Sequence, residues 1–170
     1  MNIPLKNAEQ STTYTTDGCA GNLCTANKAI DGNLATQSVT RESQLESWSA
    51  ELEELSSITK ILVYANSYAL GAGKYSRFKV EVKTSQNAAW KVCKAEHAMQ
   101  APHDPNEVIC EKPMIAKYVK LSVAGGPNLY LNEVKVLGSI LGKSYRNMVC
   151  EMAAKIHFKM NYCRIIQNYL

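Results

Sequence analysis

Asp31 and Asn33 flank Gly32 in the polar stretch Ala26-Asn27-Lys28-Ala29-Ile30-Asp31-Gly32-Asn33. Glu133 stands far downstream, in Leu129-Tyr130-Leu131-Asn132-Glu133-Val134. The glycine lets the backbone turn tightly between the two polar side chains, and the second stretch reads as a strand. A loop acid, a nearby amide and an acid on a late strand are suitable donors for a hard cation. Calcium takes about 6–8 oxygens from carboxylates, main-chain carbonyls and side-chain amides or hydroxyls. Asp-Gly-Asn is also a common turn, so the spacing leaves both readings open.

Other chemistry is sparse. Cys19 and Cys24 lie in Asp-Gly-Cys-Ala-Gly-Asn-Leu-Cys, where two glycines would allow a local bridge. Cys-x4-Cys can also be half of a zinc site, but no second Cys/His pair at metal spacing follows. Cys93 and Cys110 flank a polar loop with His97 and His103, and each follows a β-like run. A bridge between them would tie those strands and stabilise by about 3 kcal/mol on the chain-entropy model. The two histidines read as solvated loop residues or as metal ligands. No serine or cysteine has an evident base partner and no glycine loop could cradle a phosphate, so an enzyme is not expected.

The frame that must position these groups is one domain's length with an appendage. The formal charge is +4. Residues 1–138 carry 14 basic and 14 acidic side chains, so the excess belongs to Lys143, Arg146, Lys155, Lys159 and Arg164 of the tail, against Glu151 alone. A neutral body argues against a nucleic-acid surface. Trp48-Ser49-Ala50-Glu51-Leu52 alternates apolar and polar, and Ile58–Ala65 is the strongest β-like run. Phe78, Val80 and Val82 share one face of Phe78–Lys83, and further runs cover Trp90–Cys93, Val108–Cys110, Ile115–Val123 and Leu129–Leu137. Many short strands without a helical period predict an antiparallel β-sandwich or jelly roll over residues 1–138. Residues 2–26 are polar and rich in Ser, Thr, Asn and Gly, and a polar segment follows the Asp31 loop up to about Glu46.

Beyond Gly138, Val149, Met152, Ile156, Met160, Cys163 and Ile166 recur at three- and four-residue steps, a helical stripe with a basic opposite side. Residues 139–170 therefore read as a Met-rich extension: a membrane-surface or partner-binding helix, or a loosely docked or disordered tail. On one continuous helix Cys150 and Cys163 would stand about 20 Å apart, too far to bridge each other. No leader-like stretch opens the chain, while six cysteines suggest an oxidising compartment. The expectation is an extracellular chain given without its leader, or one module of a longer secreted protein.

A family resemblance runs through residues 2–138 in order. Asn2–Tyr14, Ala29-Ile30-Asp31-Gly32-Asn33, Trp48–Leu52, the Cys93/Cys110 pair, Lys117-Tyr118-Val119-Lys120-Leu121 and Leu131-Asn132-Glu133-Val134 resemble the landmarks of the discoidin-like, galactose-binding-like superfamily. Within it the chain is similar to the F-type lectins, or fucolectins. The resemblance implies an eight-stranded jelly roll, one structural calcium and a shallow sugar site between loops at one end. By position, the Asp31 and Glu133 carboxylates, the carbonyls of Lys28, Asn33 and Asn132, and a hydroxyl near Ser38 would hold the ion.

The fucose motif of that family is a histidine, then Arg-x-Asp-x4-Arg/Lys, and here it is degenerate. Lys74 keeps the last position, Ser67 and Ala69 replace the arginine and the aspartate, and the histidine position falls at Thr40, with Arg41 adjacent. An arginine fork on sugar oxygens is not reproduced by these side chains. Tyr68 and Tyr75 flank Lys74 and could stack on a sugar face; the same loop could be an apolar spike, or a turn whose tyrosines cap the core. The expected function is calcium-stabilised glycan binding, fucosylated or otherwise. Weak single sites would call for multivalency, which a homo-oligomer could supply. The rival reading is an adhesion or recognition module for a protein or phospholipid.

Overall fold

The computed structural model describes residues 1–15, 19, 23–43, 45–65, 77–98, 105–125 and 128–142. Ser67, Tyr68, Lys74, Tyr75, His103 and the chain from residue 143 onward, with Cys150, Cys163 and the helical stripe, lie outside them.

Among the described residues nine strands follow one another: β1 (Asn2–Ile3), β2 (Leu5–Gln10), β3 (Ser38–Val39), β4 (Ser47–Tyr64), β5 (Arg77–Lys83), β6 (Lys91–Ala98), β7 (Asn106–Gly125), β8 (Tyr130–Leu131) and β9 (Glu133–Ile140). A 3-10 turn, Ala26–Ala29, lies between β2 and β3. Every strand pair is antiparallel. The runs Trp48–Leu52 and Ile58–Ala65 form one long strand, β4, and the runs around Val108 and Val119 form β7.

These two strands generate both layers. The first part of β4 pairs with β2 (Gln10 opposite Trp48) and with the last part of β7 (Leu121 opposite Trp48). Its second part pairs with the first part of β7 (Val108 opposite Ile61) and with β9 (Val136 opposite Ile61). The change of partners falls where the register shifts, between Glu51 and Ser56 and between Ile58 and Lys60. One layer is β2–β4–β7–β5–β6. The other is β7–β4–β9, with β1 on its edge. β4 and β7 each serve in both layers, and β3 and β8 form a separate two-stranded pair.

Alternation explains the packing between layers. Trp48, Ala50 and Leu52 point inward while Ser49 and Glu51 point out, and Phe78, Val80 and Val82 fill the core opposite Ile58, Ile61, Val134 and Val136. The indole N–H of Trp48 donates to the Ala26 carbonyl at 3.0 Å, which seats the 3-10 turn on the core. Both expected bridges form. Cys93–Cys110 joins β6 to the first part of β7, with Cα atoms 4.7 Å apart, and so ties one layer to the other. Cys19–Cys24 closes a local loop, Cα atoms 5.2 Å apart.

The amino-terminal strands are the part that periodicity does not reveal. β2 lies on the sheet edge with only Leu5, Ala8 and Gln10 partly inward, and its register shifts between Lys6 and Glu9. Asn7, inside that shift, has φ of 49°, a left-handed conformation asparagine tolerates better than most residues. Pairing with β4, not patterning, makes it a strand.

Gly138 sits opposite Ile58, where β4 changes course. A Cβ there would lie 2.0 Å from the Ser57 carbonyl oxygen, which is backbone and cannot rotate away. Gly138→Ala is expected to cost about 1–3 kcal/mol, a fall in melting temperature of about 3–10 °C by calorimetry. An unchanged melting temperature would mean that β9 does not approach β4 this closely.

Candidate functional site

The Asp31 loop leaves the 3-10 turn, whose Ala26 and Ala29 are buried, so the loop starts from an anchored base. Gly32 has φ of 76°, which strains any residue with a Cβ. In this conformation its N–H points across to β9 and donates to Glu133 Oε2 at 3.1 Å. The main chain thereby joins loop and strand, 101 residues apart in sequence.

Thr36 lies at the centre of the loop. Its Oγ1 is 2.9 and 2.8 Å from the two Asp31 carboxylate oxygens, 2.9 Å from the Asn33 carbonyl and 3.4 Å from the Lys28 carbonyl. A hydroxyl has one proton, so four acceptors converge on a single donor. The Asn33 N–H also donates to Asp31 Oδ1 at 2.9 Å, and the Lys28 ammonium stands 3.6 Å from Oδ2. Asn132 closes the other side. Its amide donates to the Leu34 and Thr36 carbonyls, each at 2.9 Å, while its buried Oδ1 has no hydrogen-bond partner.

The two carboxyls feel opposite fields. Partial burial pushes the Asp31 carboxyl up, but the Asn33 N–H, the Thr36 hydroxyl and the Lys28 ammonium outweigh it and hold it below the usual range. Burial pushes Glu133 up, the Gly32 N–H and the Lys135 ammonium pull it back, and the charge of Asp31 adds to the rise, leaving it above the usual range. A dication beside both would offset the desolvation and the mutual repulsion.

The residues present fit such an ion: two carboxylates, the Lys28, Asn33 and Asn132 carbonyls and the Thr36 hydroxyl are hard oxygen donors. Among the described residues no three His, Cys, Asp or Glu side chains converge, so a softer metal lacks its usual ligands there. Ser38 is placed elsewhere. It is buried in β3, and its hydroxyl donates to Gln10 Oε1 at 2.7 Å. Thr36, two residues earlier, carries the hydroxyl that meets the acid loop; no sequence signal separates two hydroxyls at this spacing, and only the start of β3 turns one of them away.

Of the residues tied to sugar recognition, Thr40 and Arg41 are described. Thr40 is fully buried; its hydroxyl accepts the Leu129 N–H at 3.0 Å and its own N–H donates to the Leu129 carbonyl at 3.1 Å, a brace between loops. Arg41 is exposed, its Nε donating to the Thr13 carbonyl at 3.3 Å and its main-chain N–H to Thr12 Oγ1 at 2.9 Å. The structure thus gives the first a packing role and leaves the second on the surface. Gln10 is a hub that composition hides: the Thr12, Cys24 and Val39 carbonyls and Thr13 Oγ1 all lie within hydrogen-bond distance of its amide nitrogen, which has two protons to share among them.

Residues 7–153 match the model of the F5/8 type C domain. A carbohydrate-binding module of family 32 from Clostridium perfringens, solved with GalNAc-β-1,3-galactose, is 21% identical; the match covers 81% of this chain and all of that one, with a TM-score of 0.67. A second family 32 module from C. perfringens, in complex with galactose, is 18% identical, with coverage of 79% and 96% and a TM-score of 0.61. An F5/8 type C domain from Bacteroides fragilis is 18% identical, with coverage of 82% and 99% and a TM-score of 0.65. At these identities the likeness is one of fold. No curated protein matches the chain.

Thr36→Val keeps the shape and removes the only hydroxyl among the converging acceptors. In chelator it is expected to cost about 1–2 kcal/mol, a fall of about 2–8 °C in melting temperature by scanning calorimetry. No change would mean that the loop does not rest on this hydroxyl.

Proposed function

The chain belongs to the F5/8 type C domain family, and from that premise we propose that it is a calcium-stabilised carbohydrate-binding module whose ligand is met by loops at one end of the sandwich. The observation that carries the ion is the excess of oxygen acceptors around Thr36 Oγ1, clasped to Glu133 through Gly32. Calcium there would be held by Asp31, Glu133, Thr36 and the carbonyls of Lys28, Asn33 and Asn132, and would supply the charge that fixes the Asp31 loop to the start of β9.

The carbohydrate reading is supported by the fold shared with modules whose structures hold galactose and GalNAc-β-1,3-galactose. The link between ion and ligand is positional. Glu133 is paired with Tyr64, and the Asn132 N–H donates to the Tyr64 carbonyl at 2.8 Å. β4 ends there, two residues before the segment 66–76 that carries Ser67, Tyr68 and Lys74. An ion that orders the start of β9 therefore orders the point from which the sugar-binding segment departs. Arg41 adds an exposed cation. Of the fucose motif only Lys74 is kept, so the proposal is for a glycan and not for fucose in particular. Few polar contacts make each site weak, and avidity through several copies would supply the rest. The two disulfides favour an extracellular setting.

One observation favours a second reading, contact with phospholipid: Leu45 is 89% exposed and lies four residues along the chain from the exposed Arg41.

Calcium at 100 times its dissociation constant is expected to stabilise by about 2.7 kcal/mol, a rise of about 5–11 °C in melting temperature. Asp31→Ala and Thr36→Val should abolish or shrink that rise, and Ser38→Ala should leave it intact. No rise in saturating calcium would remove the ion from the proposal. A glycan array probed with the full chain should give a signal in calcium that falls in chelator and on Lys74→Ala. A blank array with Leu45-dependent sedimentation on vesicles would favour the phospholipid reading.

A further inference from the structure

The outer face of the five-stranded layer carries a groove of about 670 Å³ that none of the preceding chemistry uses. Its floor is Ser49 and Glu51 of β4, Tyr118 of β7 and Lys83 of β5. The shifted part of β2, around Asn7, forms one wall with Asn27, and the turn carrying Gln86 and Trp90 forms the other. Four neighbouring strands are crossed from β2 to β5, about 14 Å at the usual strand spacing. The volume lies within the range of small-molecule sites, but the shape is elongated and open.

The side chains are of three kinds. Trp90 and Tyr118 are half-buried rings that belong to neither buried cluster. Asn7, Asn27, Gln86 and Ser49 are neutral hydrogen-bonding groups. The charged groups divide sharply. Glu51 is fully answered, by the Asn7 amide at 2.9 Å, Lys117 at 3.2 Å and Lys6 at 3.6 Å. Burial pushes its carboxyl up, yet these partners prevail and hold it below the usual range. Lys120, whose ammonium stands 4.6 Å from the Trp90 ring centre, is answered by Glu81 at 2.9 Å. Lys83 is different. Its ammonium donates to the Gln86 carbonyl at 2.8 Å and lies 4.7 Å from the centre of the Trp90 ring and 5.0 Å from that of Tyr118. Among the described residues no carboxylate stands within ion-pair distance of it.

We propose that this groove is a second ligand site, separate from the loop end, and that it takes an acidic oligosaccharide with a carboxylate on Lys83. Rings beside amides suit a chain that shows an apolar face and several hydroxyls together. A neutralised Glu51 accepts such a chain without repelling its charge. Glu9, exposed on the β2 wall, directs the carboxylate to the opposite end, where Lys83 waits. Two ammonium groups on one indole repel each other, and an anion at Lys83 relieves that repulsion. The choice of a saccharide over another elongated anion rests on the functional reading above; the groove and its charge do not, and none of the residues assigned to the ion or to the loop end lines it.

The test is calorimetric titration of the full chain, in chelator and at low salt, with hexagalacturonate and with its methyl-esterified form. The acid chain should bind and the ester at least tenfold more weakly. Lys83→Gln should weaken the acid chain at least tenfold, Lys83→Arg should retain it, and Trp90→Ala should abolish it. Each variant should melt within about 3 °C of the parent, a window of about 1 kcal/mol; a variant outside that window is replaced in the comparison by Tyr118→Phe and Gln86→Ala, which should weaken binding severalfold. Absence of binding to the folded parent overturns the proposal, as does equal affinity for acid and ester. Binding kept in Trp90→Ala but lost in Lys74→Ala would place the chain at the loop end and overturn it too. A blank glycan array with hexagalacturonate binding intact would count against the loop-end reading alone.

Discussion

Antiparallel pairing of β4 with β7 is the constraint on which the rest of this domain depends. Each is far longer than an ordinary strand, and each changes partners midway, so two hydrogen-bonded ribbons supply parts of both layers. The register shifts near Glu51 and Ile58 are where that change is accommodated, as bulges do in strongly bent sheets. A sandwich built this way needs little help from its connections. The Cys93–Cys110 bridge adds a covalent tie between layers that already share their central strands.

The candidate ion site follows from where β4 and β9 meet. Tyr64 and Glu133 are paired at that end, and the Asp31 loop is held over them by the 3-10 turn that Trp48 fastens to the core. Around the Thr36 hydroxyl the loop gathers four oxygen acceptors. Gly32, Asn33 and Thr36 donate what protons they have, and the buried Asn132 Oδ1 has no hydrogen-bond partner. An arrangement with more lone pairs than protons suits a cation, and Glu133 beside it is raised chiefly by burial, with the Asp31 charge adding to the rise.

The two surfaces of the domain use different physics. At the loop end, positions are set by long-range clasps: Gly32 to Glu133, Thr40 to Leu129, Asn132 to Leu34 and Thr36. On the sheet face, positions are set by register alone, since side chains two apart on a strand share one side. That is why Glu51, Tyr118 and Lys83 fall in one row across β4, β7 and β5, and why a groove forms there without a loop to shape it. Charge pairing across the row neutralises Glu51 and leaves Lys83 facing its aromatic neighbours.

The strands that bury a face were legible beforehand, because alternation of Trp48, Ala50 and Leu52, or of Phe78, Val80 and Val82, needs no partner to be recognised. The acid loop and Glu133 were legible as chemistry, since residue type and a glycine turn are local facts, and the disulfide pairs could be suggested from spacing. The edge strand β2, the continuity of β4 and β7, and the choice between Thr36 and Ser38 were not. Each depends on a partner more than 20 residues away: β4 for Leu5–Gln10, β9 for the second part of β4, and Gln10 for the Ser38 hydroxyl. The groove was invisible for the same reason, as Trp90, Tyr118, Glu51 and Lys83 become neighbours only through register. Local sequence determined which segments could pair and which side chains could bind; tertiary pairing decided which of them meet, because hydrogen-bond register, unlike periodicity, is a property of two strands and not of one.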